Sequence, residues 1–200
     1  MKKLLLLIAV VPAITATVAH AQPRKGDWMV GANIAGLSGY VDPGVKSHFD
    51  IHIVPSAGYF FTNRLAIGTG VGLGYHANSK KAHGFNYGVS PFLRYYFSKK
   101  EGMVAKKAYL FTEVSAGYNG YTYSDKVNNV KLTNNALHAG GGAGLAYFIT
   151  QNVSIEGLFK VNYSTGINGI NNNLAQFRPS LGIGFNIYLP GRKKESAKTE

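Results

Sequence analysis

Eight stretches of this chain alternate, residue by residue, between bulky apolar side chains and glycine or small polar ones. In 175–189 one set is Phe177, Pro179, Leu181, Ile183, Phe185, Ile187 and Leu189, and the other is Gln176, Arg178, Ser180, Gly182, Gly184, Asn186 and Tyr188. In 65–76, Leu65, Ile67, Thr69, Val71, Leu73 and Tyr75 oppose Ala66, Gly68, Gly70, Gly72, Gly74 and His76. In 84–97, Phe85, Tyr87, Val89, Pro91, Leu93, Tyr95 and Phe97 oppose Asn86, Gly88, Ser90, Phe92, Arg94 and Tyr96. A period of two is the signature of a strand, whose side chains turn alternately to its two faces. The remaining segments are 27–37, 48–61, 108–122, 135–149 and 152–164. None carries a helical stripe, so no substantial helix is expected.

The residue types on the two faces decide which face is inside. A soluble barrel or sandwich buries its large apolar side chains and turns a charged face to water. Here the second face is mostly Gly, Ala and Ser, which makes a poor water-facing surface. It makes a good crowded interior around a few large residues such as Phe92, Tyr96 and Phe111. The apolar face then meets lipid, and the segments are about long enough to cross a bilayer as tilted strands. Backbone polar groups cannot be left open in lipid, so the sheet must close. The fold class expected is all-β, an eight-stranded antiparallel up-and-down transmembrane β-barrel.

The connections agree with that topology. Thr62-Asn63-Arg64 and Thr150-Gln151 are tight, while those after segments one, three, five and seven are longer and rich in Gly, Asn, Ser and Lys. Short turns on one side and longer loops on the other is the outer-membrane asymmetry, with both termini on the short, periplasmic side. The connection Ser98 to Lys107 breaks this rule. Outward aromatics fall at two levels. Trp28, Tyr59, Phe61, Tyr95, Phe97 and Tyr147 lie near the short turns, and Phe49, Tyr75, Phe85, Tyr87, Tyr163 and Phe177 near the long loops. Aromatic rings favour the headgroup level at both interfaces.

Composition fits. Charged residues are 15% of the chain, against about a quarter in soluble domains. There is no cysteine, which excludes a disulfide framework, a thiolate zinc site and a lipidated N-terminal cysteine. Met1-Lys2-Lys3, the apolar run from Leu4 to Val11 and Ala19-His20-Ala21 read as a signal peptide, 1–21, cleaved after Ala21. That run is too short to span a bilayer, and no later apolar stretch is long enough. The barrel is then 22–189, followed by a short basic periplasmic tail, 190–200. Loss of Lys2 and Lys3 takes the formal charge from +12 to +10. Arg24, Lys25, Arg64, Lys99, Lys100, Lys106 and Lys107, with Arg192, Lys193, Lys194 and Lys198 of the tail, fall on the periplasmic side. They suit anionic headgroups. Export and their placement in turns argue against nucleic acid as a partner.

The Gly-Asp-Trp-Met-Val-Gly start at 26–31, the Gly/aromatic strands and the final strand from Ser180 to Leu189 resemble the outer-membrane β-barrel domain family of small OmpA/OmpX-like proteins, especially its Bacteroidetes members. The resemblance runs from about Gly26 to Leu189. The last strand is similar to the signal read by the barrel-assembly machinery, with polar Ser180, Gly182, then Phe185 and Ile187. The resemblance implies outer-membrane lipids and that machinery as partners, a monomer, no cofactor, and an unnamed external ligand at most. The family's members include adhesins, small pores and lipid-modifying enzymes.

Three constellations could carry function. Arg94, Glu113, Glu156, Lys160 and Arg178 face inward and should pair as a charge network plugging the lumen, because an unpaired charge there is costly. His48, Asp50 and His52 share the inner face at the outer end of segment two. Pairing Phe60 with Ala66 through the turn sets His76 opposite Asp50, a ligand type that suits a divalent metal at the mouth. His138 with a nearby Ser is the lumenal option for a lipid hydrolase or acyltransferase, which would also need an orienting acid. The leading expectation is no enzyme but a structural or interaction protein presenting polar loops, with a narrow pore and a lipid-modifying enzyme as alternatives.

Overall fold

The computed structural model describes residues 23–42, 46–78, 82–97, 103–105, 107–125, 130–168 and 176–191. The expected signal peptide and most of the tail lie outside them. The strands are β1 (Trp28–Asp42), β2 (Lys46–Phe60), β3 (Leu65–Asn78), β4 (Ala82–Tyr96), β5 (Met103–Ala105), β6 (Ala108–Asp125), β7 (Val130–Phe148), β8 (Val153–Asn168) and β9 (Gln176–Leu189). Eight long strands form a closed antiparallel barrel in sequence order, β1 pairing with β9 and β4 with β6 across the short β5. No helix occurs among the described residues.

Exposure follows the alternation. Leu181, Ile183 and Val71 lie on the outer surface at 69%, 63% and 44% exposure. Ala66, Phe92, Arg94 and Tyr96 are buried on the inner face. The wall is therefore apolar outside, as lipid requires. Side-chain space inside is limiting: a Cβ at Gly68 would overlap the Ala57 carbonyl oxygen and the Phe92 ring. Outward rings pair at both levels, Trp28 on Tyr59 at 5.2 Å near the short turns and Tyr163 on Phe177 at 5.2 Å near the outer end.

The register matches the expected pairing, with Phe60 opposite Ala66 and Asp50 opposite His76. The short turn between them is set by Thr62, whose Oγ1 accepts from the amides of Arg64 and Leu65 at 3.2 and 3.0 Å. Asp27 ties the chain ends together: its carboxylate accepts from the Arg24 amide at 2.8 Å and the Gly191 amide at 3.2 Å. Gly26, at φ +95, makes that turn in the left-handed region.

Two features differ from the sequence reading. The strands run further at the outer end: β6 reaches Asp125 and β7 starts at Val130, where the alternation ended at 122 and resumed at 135. The added residues Lys131, Thr133 and Asn134, like Val130 and Leu132, are exposed. Val130-Lys131-Leu132-Thr133 does alternate, but its apolar residues share the parity of inward His138 and not of outward Leu137, so they do not continue the lipid-facing set. The long connection after β4 also contains β5, which pairs with the start of β6.

Candidate functional site

The inner face is filled at the short-turn end. Met29, Phe60, Tyr96, Phe111, Phe148 and Tyr188 form a buried cluster there. Ring centroids are 5.7 Å apart for Phe60–Tyr96, 5.4 Å for Tyr96–Phe111 and 5.1 Å for Phe148–Tyr188. These rings project from strands on all sides of the lumen and meet near its axis, so they form a floor.

A buried ionic network lies against this floor. Arg94 donates from Nε and Nη2 to Glu113 Oε2 at 3.0 and 2.7 Å, and from Nη1 to Glu156 Oε2 at 2.7 Å. Its guanidinium lies 4.4 Å from the Phe111 ring centroid. Glu156 Oε1 accepts from Tyr188 Oη at 2.8 Å and Ser154 Oγ at 3.0 Å. Lys160 Nζ donates to Glu113 Oε1 at 2.8 Å. Two cations thus face two carboxylates, and the hydroxyls complete the second carboxylate's hydrogen bonding. Such saturation is the condition for keeping buried charge in place.

The fifth expected member is elsewhere. Arg178 stands opposite Asn162, six residues up the strand from Gly184, the partner of Glu156. It is exposed and makes an interaction of its own. Alternation fixes the face a residue occupies but not its height, and Arg178 sits at the outer end. The hydroxyls of Ser154, Tyr96 and Tyr188 were missing from the sequence reading of the network. Alternation places Tyr96 and Tyr188 on the inner face, but nothing in the sequence shows which hydroxyl meets which carboxylate.

At the outer end, His76 Nδ1 lies 3.5 Å from Asp50 Oδ2. His52 stands over Gly72 and Gly74, whose lack of side chains makes room for its ring. No three of the histidines and carboxylates gather as a metal centre among the described residues, and the side chain of His48 lies outside them. Spacing by two along one strand sets the Cα atoms of successive candidates about 7 Å apart.

His138 has the serine partner that the sequence could not name: Ser90 Oγ is 2.8 Å from His138 Nε2. His138 Nδ1 has no hydrogen-bond partner. Among the described residues no carboxylate accepts from His138 Nδ1, the contact that orients the imidazole in a Ser–His–acid triad. The assembly-signal residues lie on β9. Phe185 faces outward, Ser180 and Gly182 inward, and Ile187 outward and half-buried.

An apolar outer wall, two aromatic levels and a packed polar-aromatic lumen define an outer-membrane-type β-barrel. Solved structures agree at the level of fold. The chain is similar to Neisserial surface protein A, at 20% identity and TM-score 0.54, covering 82% of this chain and 99% of that one. It is also similar to the outer membrane protein OprG from Pseudomonas aeruginosa, at 12% identity and TM-score 0.56, covering 86% and 100%. A major outer membrane protein from Thermus thermophilus matches at 14% identity and TM-score 0.54, covering 82% and 98%. These likenesses bear on the barrel class as a whole and not on its Bacteroidetes members. No protein-family model and no curated protein matches the chain.

Proposed function

We propose that this protein is a non-conducting barrel of the outer membrane that serves as a rigid scaffold for its outward-facing hairpins, in envelope structure or in contact with an external partner. One observation carries the reading: the buried Arg94–Glu113–Glu156–Lys160 network lies against the aromatic cluster inside the barrel toward the short turns. An eight-stranded barrel leaves an interior that side chains alone can fill. Opening a path would separate these buried charges from the counterions they hold.

The outward end suits a display role. Among the described residues, β8 accompanies β7 up to Asn135↔Asn168, and β6 and β7 pair on to Asp125↔Val130 at the outward end. Planar-bilayer recording on the purified chain tests the closed lumen. The expectation is no steps above the detergent control for the natural sequence. Discrete steps from the natural sequence would favour the pore.

A further inference from the structure

The wall of the barrel is not paired along its whole height. β1 pairs with β2 from Trp28↔Tyr59 to Asp42↔Lys46, and β9 pairs with β8 from Ile187↔Val153 to Gln176↔Ser164. The ladder between β1 and β9 runs only from Trp28↔Leu189 to Ile34↔Ile183. Among the described residues, Gly36–Asp42 and Gln176–Gly182 are not paired with one another.

Two local causes are visible. β1 carries a bulge between Ile34 and Gly36, which bends the strand where the seam ends. β9 carries Pro179, and its orientation follows from parity. The Tyr188 amide donates to Asn152 on the β8 side at 2.7 Å. Alternate residues turn their amides to the same edge, so odd residues of β9 face β1, and Pro179 is the one with no N–H to give. The other strand prolines confirm the rule. The Phe60 amide donates to Asp27, which sets Pro55 toward β3, and the β2–β3 ladder skips Val54 and Pro55. The Tyr96 amide donates to Arg64, which sets Pro91 toward β6, and that ladder skips Ser90 and Pro91. Those two ladders resume beyond the proline; the seam does not.

The opening lies within the apolar band. On β9 the outer aromatic level is Phe177, packed on Tyr163, and the last seam pair is Ile183. Leu181, between them, is 69% exposed. Unpaired backbone in hydrocarbon is costly and needs a polar partner. Behind the seam the lumen is polar. Ser180 Oγ accepts from Asn162 Nδ2 at 3.3 Å and donates to the Lys160 carbonyl at 3.3 Å. A Cβ at Gly182 would meet nothing nearer than 3.8 Å, so there is room beside them.

We propose that the gap between β1 and β9 is a lateral port from the outer leaflet into the upper lumen, and that it takes a single-chain amphiphile. Its alkyl chain lies over Leu181 and Ile183. Its hydrogen-bonding head lies at Ser180 and Asn162, beside the open backbone edges. A purely apolar occupant would leave those edges unsatisfied, and a purely polar one would not enter from lipid. This goes beyond the scaffold reading and does not depend on whether the floor conducts.

The chain has no cysteine, so disulfide trapping reads the seam directly. If the seam closed past its bulge, Leu37 would face Leu181. In dimyristoylphosphatidylcholine vesicles, oxidised V30C/I187C should cross-link nearly completely, because those positions are paired. L37C/L181C should stay mostly reduced. Full cross-linking of L37C/L181C would overturn the port. A dodecyl phosphocholine probe with a photoreactive alkyl end should label the β9 segment around Leu181 and Ile183 in preference to other outward strands. S180A/N162A, with folding confirmed by gel heat-modifiability, should lose most of that labelling. Uniform labelling of all strands, or labelling untouched in S180A/N162A, would overturn the ligand assignment. Disulfide-linked dimers forming readily from L181C alone would overturn it too, by showing a second copy at that edge.

Discussion

The residue on which most depends is Arg94. It is 2% exposed, and the two carboxylates it holds are themselves buried. Removing it in Arg94→Ala leaves Glu113 with Lys160 alone and Glu156 with hydroxyls alone. Breaking a buried pair from one side costs about 3–5 kcal/mol. Urea unfolding from vesicles should show a loss of that order, and Arg94→Lys should recover only part of it, because an ammonium cannot serve both carboxylates through a planar fork. A loss within about 0.5 kcal/mol, the scale of neutral surface changes, would mean the network is not saturated as described. Gly144 is the second sensitive position. A Cβ there would overlap the Phe111 ring and the Gly157 carbonyl oxygen. Gly144→Val should destabilise by about 1–3 kcal/mol or more, read as a reduced folded band on heat-modifiability gels.

At the scale of the strand, one rule made most of the fold legible. Alternation assigned the faces over 65–76, 84–97 and 175–189, and the Thr62-Asn63-Arg64 turn fixed the register of β2 against β3, down to Asp50 opposite His76. It also named Arg94, Glu113, Glu156 and Lys160, since charged residues on a glycine-rich face have few other places to go. What it could not supply was height and ends. Arg178 shares their face but sits far up the strand. Val130–Asn134 alternates in the opposite phase to the outward set of β7, so it did not extend the segment. The seam was illegible for a different reason. A bulge and a proline at different heights on two strands distant in sequence act together only once the barrel brings them side by side. The same strand logic gives a prediction. Val71→Lys places an ammonium on the lipid face and should cost about 2–4 kcal/mol if it lies near the midplane. Thr133→Lys at the outer end of the hairpin should cost close to nothing in the same vesicle unfolding assay.

For the whole molecule, the two halves of the lumen differ in their lining. The periplasmic half holds the buried rings of Phe60, Phe148 and Tyr188, with the ion network beside them. The outer half is lined by Asp50, His52, His76, Ser90 and His138 and lies toward the hairpin ends. The proposed closed floor predicts electrical silence. It also predicts that shortening the β6–β7 hairpin beyond Tyr123 leaves barrel folding and heat-modifiability intact while removing whatever contact the outward end makes. Loss of the folded band on that trimming would show that the outer end of the hairpin supports the barrel.

Every one of these statements needs the bulky aliphatic side chains on the outside of the cylinder. Methyl NMR of the chain in lipid nanodiscs, with a doxyl label carried on the acyl chains, tests that placement directly. Broadening is expected for the methyls of Val71, Leu181 and Ile183, and sharp lines for those of Ala66, Ala146 and Leu158. Sharp lines from Leu181 and Ile183, with Ala66 and Leu158 broadened by the lipid label, would contradict the account at its root.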